Sequence, residues 1–390
     1  MSRAGSARST PGPGPDQGGN LGPVVAGRRV VLCLGSGGVG KTTTSAALAL
    51  ALARTGERVA VLTIDPARRL ADALGLGGGL SNSPTLVAEF AAEPSTSPGR
   101  PGQVWAAMLD PAETFRRVIE AEAATPEQAE RILVNRLFVN LTTTLSGTNE
   151  YMAAERLHQL AADERFDRII VDTPPSHHVL DFLDSPGRLT RFVDHRLYRS
   201  VLAPRHGLMR PINAGARAVL RLLAGLVGST LVDDVVDFFA DFEGLDQGFR
   251  RRAAEIDALL SGPATAYLLV TTPRSDRLAE ADWIVDNLER RHLRPDALII
   301  NRVLSFGGPP EGVGDDGAAT LDGPLAENLA QLELLADQQA ELVSPLTERV
   351  LAGRAPQEVV VVRLPEQPVP VRDLTGLTSL SDFLVARTEP

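Results

Sequence analysis

Nine consecutive residues, Gly35-Ser36-Gly37-Gly38-Val39-Gly40-Lys41-Thr42-Thr43, carry the strongest chemical signal in the chain. Glycine, four residues and then Gly-Lys-Thr is the spacing of a phosphate loop. The glycines let backbone N–H groups turn inward around a β-phosphate, and the start of the following helix adds positive potential. Lys41 is placed to reach the β- and γ-phosphates, and the Thr42 hydroxyl to sit on Mg²⁺. The expected ligands are therefore a nucleoside triphosphate and Mg²⁺. Two aspartates extend the constellation. Asp65 and Asp172 each end an apolar run. Asp172, after Ile169-Ile170-Val171, has the context of a Walker B aspartate that holds Mg²⁺ through water. Asp65 opens a segment able to move and is the better candidate for orienting an attacking water. A strand-end aspartate alone is as often a cap or turn residue. The weight comes from three such sites meeting at one edge.

That meeting depends on the elements between them. An apolar run at 30–34 precedes the loop and a helix-forming run at 44–50 follows it, the strand–loop–helix context a phosphate loop needs. Further strands are predicted at 58–65, 104–109, 168–172, 266–271, 297–301 and 358–364. Their near-continuous apolar character is that of buried parallel strands. Helices alternate with them: one opens at Asp110-Pro111 and keeps its periodicity to about Leu145, others cover 149–160 and 276–291, one ends near Leu334, and the last covers 373–386. The segments 75–100 and 305–323 read as loops. This alternation predicts an α/β fold, a doubly wound, mostly parallel sheet whose ligands lie beyond the carboxyl ends of the strands. A helical insertion interrupts it at about 188–261, with arginines in its first half and carboxylates in its second. Solvated helix faces pairing with each other explain that split better than a ligand site.

Composition sets further bounds. With 390 residues, 43% of them hydrophobic and 23% charged, the chain reads as a globular protein of two or three domains, or one α/β domain with insertions. No run approaches the roughly 18 apolar residues that span a bilayer, so no stable membrane insertion is expected. Residues 1–27, rich in Ser, Pro and Gly, read as a disordered tail, and 28–390 as the P-loop domain. The single cysteine, Cys33, allows no disulfide within the chain and fits a reducing cytoplasm. A net charge of −10 argues against a nucleic-acid partner.

Gly37-Gly38-Val39-Gly40-Lys41-Thr42-Thr43 also resembles the deviant Walker A loop, Lys-Gly-Gly-x-Gly-Lys-Ser/Thr. That loop marks the arsenical-pump ATPases, the ATPases that target tail-anchored membrane proteins, the partitioning ATPases and the nitrogenase iron protein. Thr63-Ile64-Asp65-Pro66-Ala67 resembles switch I of the first two, where the aspartate prepares the hydrolytic water. The stretch Asp172-Thr173-Pro174-Pro175-Ser176-His177-His178 resembles the start of their switch II, with proline for alanine and His177 for glycine. For the His177–His178 pair, switch-loop hydrogen bonding is preferred to metal binding. By the same resemblance, Asn301 would hydrogen-bond adenine, and Val362-Arg363-Leu364-Pro365 would cover it. The likeness runs in order through 29–383.

The departures are as informative. In that family the first lysine of the loop crosses a dimer interface to the partner's nucleotide; here Ser36 stands in its place, with Arg68 or Arg69 as candidate substitutes. The cysteines that bind metalloid, the Cys-x-x-Cys zinc clamp and the cluster cysteines are all missing, since only Cys33 exists. An apolar client groove in the insertion would draw on 218–227, although a plain helical core explains those leucines too. The resemblance implies an ATP-hydrolysing dimeric switch, cytoplasmic, with a homologous subunit as partner and a hydrophobic client protein possible. The alternative is a nucleotide-binding regulatory subunit of negligible turnover, paired with a lysine-bearing paralogue. A partitioning ATPase would need a basic C-terminal amphipathic helix, which 373–387 does not supply.

Overall fold

The computed structural model describes residues 19–65, 67, 69–91, 100–135, 148–194, 241, 244–304, 324–355, 358–367, 369, 371 and 373–385, except the side chains of 176–178, 189–194, 324–326 and 329. They fall into two compact units. The first takes Met1–Met108, Asp163–Ser176 and Pro263–Pro390, the second Leu109–Ala162 and His177–Gly262.

The first unit is built on one eight-stranded sheet. Its strands are β1 (Val30–Leu34), β2 (Arg58–Thr63), β3 (Thr85–Phe90), β4 (Gly102–Met108), β5 (Arg168–Asp172), β6 (Thr265–Thr271), β7 (Ala297–Val303) and β8 (Val360–Pro365). Across the sheet they run β3-β4-β2-β5-β1-β6-β7-β8. Every pair is parallel except the edge pair β3/β4. The α/β, doubly wound and mostly parallel sheet expected from the sequence is thus present. All five residues of β1 and of β5 are buried, as strands covered on both faces must be. The edge strand β3 lies inside the stretch read as loop. None of its residues is fully buried, so it lacks the apolar run by which its neighbours announce themselves.

Helix α2 (Lys41–Arg54) follows β1 and is buried nearly all round, from Thr44 to Ala53. The C-terminal helix α11 (Leu374–Leu384) packs on it, and Arg54 donates to Ser381 and Asp382 across that contact. The N-terminal segment differs from the tail expected through residue 27. A short helix, α1 (Gly22–Val25), begins after Leu21, whose N–H donates to the Leu384 carbonyl at 2.8 Å. Leu21 and Val25 are both buried, so this segment is part of the core; 1–18 lie outside the described residues. The first unit also holds α3 (Arg69–Ala73), α9 (Ser275–Glu289) and α10 (Pro324–Leu351). Helix α10 runs well past residue 334, because Val343, Leu346 and Val350 extend one buried stripe.

The second unit is helical: α4 (Pro111–Glu122), α5 (Pro126–Val134), α6 (Thr148–Ala162), α7 (Ser176–Asp194) and α8 (Leu245–Ser261). Asp110 caps α4 as expected, its carboxylate accepting from the Glu113 N–H with Pro111 at the first helical position. The continuous helix expected from there to 145 is broken. Thr125 caps a second helix at Pro126, its hydroxyl accepting from the Gln128 N–H; 136–147 lie outside the described residues, as do 195–240, which include the suggested groove. Buried charge joins three helices of this unit. Glu155 on α6 is fully buried and accepts from Arg252 on α8 at 2.7 Å, while the same guanidinium donates to Glu122 on α4 at 2.7 Å. Removing the arginine would strand a buried carboxylate, which typically costs about 3–5 kcal/mol. Arg252→Ala is therefore expected to lower stability by about 3 kcal/mol in denaturant unfolding, and an unchanged midpoint would show that the carboxylates find other partners.

Candidate functional site

The phosphate loop leaves β1 at Gly35 and enters α2 at Lys41. Two of its positions admit glycine alone. Gly35 has φ +150°, and a Cβ there would lie 2.2 Å from the Val270 carbonyl oxygen of β6. Gly40 has φ +100°, and its Cβ would lie 2.2 Å from Nδ2 of Asn301. The loop is therefore pressed against β6 on one side and against the end of β7 on the other. Lys41 is 7% exposed, and its ammonium donates to the Gly35 and Ser36 carbonyls at 2.9 and 2.8 Å. Burial lowers its pKa, an effect opposed by the nearby Asp172 carboxylate.

Asp172 stands beside the loop because β5 pairs with both β1 and β2, in a register that sets it opposite Cys33 and Thr63. Its Oδ2 accepts from the Thr42 hydroxyl at 2.8 Å and from the Thr63 hydroxyl at 3.1 Å. Its Oδ1 is buried with no hydrogen-bond partner. Burial pushes this carboxyl up to about 6, against the pull of the Thr42 hydroxyl and Lys41. A buried, unsatisfied carboxylate oxygen next to a loop hydroxyl is a hard oxygen donor set, and it fits Mg²⁺. In the sequence Thr63 stands out only as the first residue of the Thr63-Ile64-Asp65-Pro66-Ala67 motif. Its hydroxyl contact depends on strand order, which no local pattern discloses.

Asp65 follows the end of β2. Its Oδ1 accepts from the Ala67 N–H at 2.9 Å, and its Oδ2 lies 3.7 Å from Nη1 of Arg69. Arg69 is mostly exposed, so this pair is weak and separable. Arg68 and Pro66 lie outside the described residues, and the side chains of His177 and His178 are not among those described. A cleft of about 1080 Å³ opens over the loop. Gly37, Gly38, Gly40, Lys41, Thr42 and Thr43 line it, with three arginines, Arg69, Arg277 and Arg302.

The expected adenine side lies at the ends of β7 and β8. Asn301 is the last β7 residue before a bulge in its ladder with β8; its Nδ2 donates to the Val39 carbonyl of the phosphate loop at 2.8 Å, and its Oδ1 accepts from the Arg302 N–H at 2.9 Å. The amide braces the loop. Pro365 closes β8 opposite Val303 and is not among the cleft-lining residues described. Ser36, at the position of the missing lysine, is 2% exposed and its Oγ has no hydrogen-bond partner.

With this geometry in place, comparison with known proteins is specific. The family model described as anion-transporting ATPase matches residues 28–307. A protein of Streptomyces coelicolor described as uncharacterized is 31% identical over 312 residues, covering 78% of this chain and 68% of its own length. The ATPase get3 of Schizosaccharomyces japonicus is 23% identical over 353 residues, 90% of each chain. The ATPase ARSA2 of Chlamydomonas reinhardtii is 26% identical over 347 residues, 87% of this chain and 85% of that protein.

The double constraint at Gly40 is directly testable. Gly40→Ala is expected to abolish phosphate-loop binding, read as lost heat on titration with Mg-ATP. Adding Asn301→Ala vacates the space but leaves the positive φ, so the double variant is expected to stay impaired; full recovery would mean that crowding alone fixes this position.

Proposed function

The chain belongs to the anion-transporting ATPase family, and on that premise we propose that it is an ATP-binding and ATP-hydrolysing switch. The observation that carries this reading is the unsatisfied Asp172 Oδ1, held beside the Thr42 hydroxyl and within the same loop framework as Lys41. In the proposed cycle, the loop amides of 35–43 cradle the β-phosphate, and Lys41 exchanges its Gly35 and Ser36 carbonyls for phosphate oxygens. Thr42 and Asp172 would hold Mg²⁺, Asp172 through water, and the bound ion would neutralise charge on the phosphate oxygens. Asp65, released from the separable Arg69 pair, orients the water that attacks the γ-phosphorus as the bond to the β-phosphate oxygen breaks. The working form is a dimer with a homologous subunit in the cytoplasm. The helical segments serve as the output surface, and a hydrophobic protein is the candidate client. The relatives' own names support the ATPase step, since get3 and ARSA2 are both called ATPases.

A second reading is favoured by Ser36. Its side chain is buried within the loop and carries no charge to offer another subunit. In this reading the chain alone turns over slowly, and a lysine-bearing paralogue completes its site. A cation supplied in trans is worth about 10³–10⁵ in rate at related phosphoryl-transfer sites.

Two measurements test these readings. In the first, Lys41→Ala is expected to lose ATP binding, while Asp65→Asn keeps binding and loses turnover in a single-turnover assay; unchanged hydrolysis by the Asp65 variant would remove its assigned role. In the second, the isolated chain is compared with its Ser36→Lys variant and with the chain mixed with a lysine-bearing paralogue. The trans-completion reading expects slow turnover alone and faster turnover in at least the mixture, and brisk turnover unaffected by either change would defeat it.

A further inference from the structure

Two non-glycine residues among those described have a left-handed backbone, His292 with φ 58° and Arg302 with φ 60°. His292 has an ordinary reason. It sits just past α9, where the Leu293 N–H turns back to the Leu288 carbonyl, and helices commonly end in this conformation. Arg302 has no such reason. It falls in a strand, at a bulge where the β7–β8 ladder passes from Asn301 opposite Leu364 to Val303 opposite Pro365. Glycine or asparagine is the usual occupant of such a backbone, and holding another residue there costs free energy that surrounding contacts must offset. The contact that does so here is the Asn301 carboxamide. It accepts from the Arg302 N–H while donating to the Val39 carbonyl, so the strained turn is tied to the phosphate loop itself.

The charge on this turn is uncommitted. Of the three arginines lining the cleft, Arg69 pairs with Asp65, and Arg277 pairs with Asp276 and Glu280. The exposed Arg302 guanidinium has no carboxylate partner among the described residues. Its place along the cleft follows from strand order. β7 is separated from β1 by β6, and two strand spacings amount to about 10 Å. The cleft over the loop reaches Arg302, so a triphosphate seated on the loop after β1 has room for its nucleoside half on that side. Guanidinium is suited to that half, since it is planar, stacks on ring faces and donates to ribose oxygens.

We propose that Arg302 is a nucleotide-contacting residue, its guanidinium held against the base and ribose of the bound nucleoside triphosphate by a left-handed turn tied to the phosphate loop. This rests on the reading of the loop as an ATP site. The test is titration calorimetry of the full chain with Mg-ATP and, separately, Mg-tripolyphosphate, for wild type, Arg302→Gly and Arg302→Lys, with a thermal melt of each. Arg302→Gly removes the guanidinium and permits the backbone. It is expected to weaken ATP binding about tenfold, leave tripolyphosphate binding unchanged, and melt at or above the wild-type temperature. Arg302→Lys keeps the charge without the planar group and is expected to recover only part of the ATP affinity. Wild-type affinity for ATP in Arg302→Gly would overturn the proposal. So would an equal loss for tripolyphosphate, which would put the contact on the phosphates, and so would a lowered melting temperature, which would make the residue structural. Failure of the wild-type chain to bind either ligand would instead refute the ATP site on which the proposal stands.

Discussion

The site depends on one buried carboxylate. Asp172 is nearly inaccessible, yet only one of its oxygens is hydrogen-bonded, by hydroxyls from two different elements, Thr42 at the start of α2 and Thr63 at the end of β2. A buried acceptor left unsatisfied costs about 1–3 kcal/mol, more when charged. The surrounding framework therefore has to be stable enough to carry it. β5 lies between β1 and β2 in the sheet, all five of its residues are buried, and its register cannot slip without moving Asp172 away from both hydroxyls. The loop is wedged as firmly. Gly35 abuts the Val270 carbonyl and Gly40 abuts Asn301, so neighbouring strands fix its shape from both sides.

Much of this was legible in the amino-acid sequence, for physical reasons that differ by element. β1 and β5 are short apolar runs ending in chemistry-bearing residues, and such runs mark buried parallel strands wherever they occur. The loop spacing is local, so the Lys41–Thr42 pairing with phosphate chemistry could be read without any fold. β3 was hidden because a half-exposed edge strand has no continuous apolar signature. The break before α5 was hidden for another reason: helical periodicity persists across Thr125, and only its capping hydroxyl and Pro126 at the first helical position mark the restart. Helix α1 was obscured by composition, since a Gly/Pro-rich neighbourhood masks the two or three apolar residues that reach the core.

The site residues divide along the same line. Lys41, Thr42 and Asp172 were named from motif and strand context; Thr42 donates to Asp172, while Lys41 donates to carbonyls of its own loop. Thr63 reaches Asp172, distant in sequence, and Arg302 is marked by its backbone at the β7 bulge. Their signals are strand register and a backbone dihedral, and neither is a property of residue type. Asn301 is the instructive intermediate. Its position near the end of β7 was anticipated from the resemblance, and its amide bonds Val39 and Arg302 while keeping a second N–H. A strand-end asparagine can thus serve a nucleotide site by bracing the loop, whatever else it touches.

Charge at the cleft gives the absence of lysine at Ser36 its meaning. Lys41 is buried and hydrogen-bonded to two carbonyls of its own loop, so moving it onto a phosphate exchanges good acceptors for better ones. Arg69 and Arg277 are each offset by a carboxylate in the present arrangement. Ser36 adds nothing, because its hydroxyl is uncharged and enclosed. Of the cleft's arginines only Arg302 lacks a carboxylate partner among the described residues, so a bound triphosphate would be poorly balanced by this chain's side chains alone. On the proposed reading, a metal ion on Asp172 and Thr42 or a cation from another subunit would supply the rest. The Asp65–Arg69 pair connects these possibilities. It is weak enough to separate, and on the proposed reading its opening would free a guanidinium for the anion and a carboxylate for the water together.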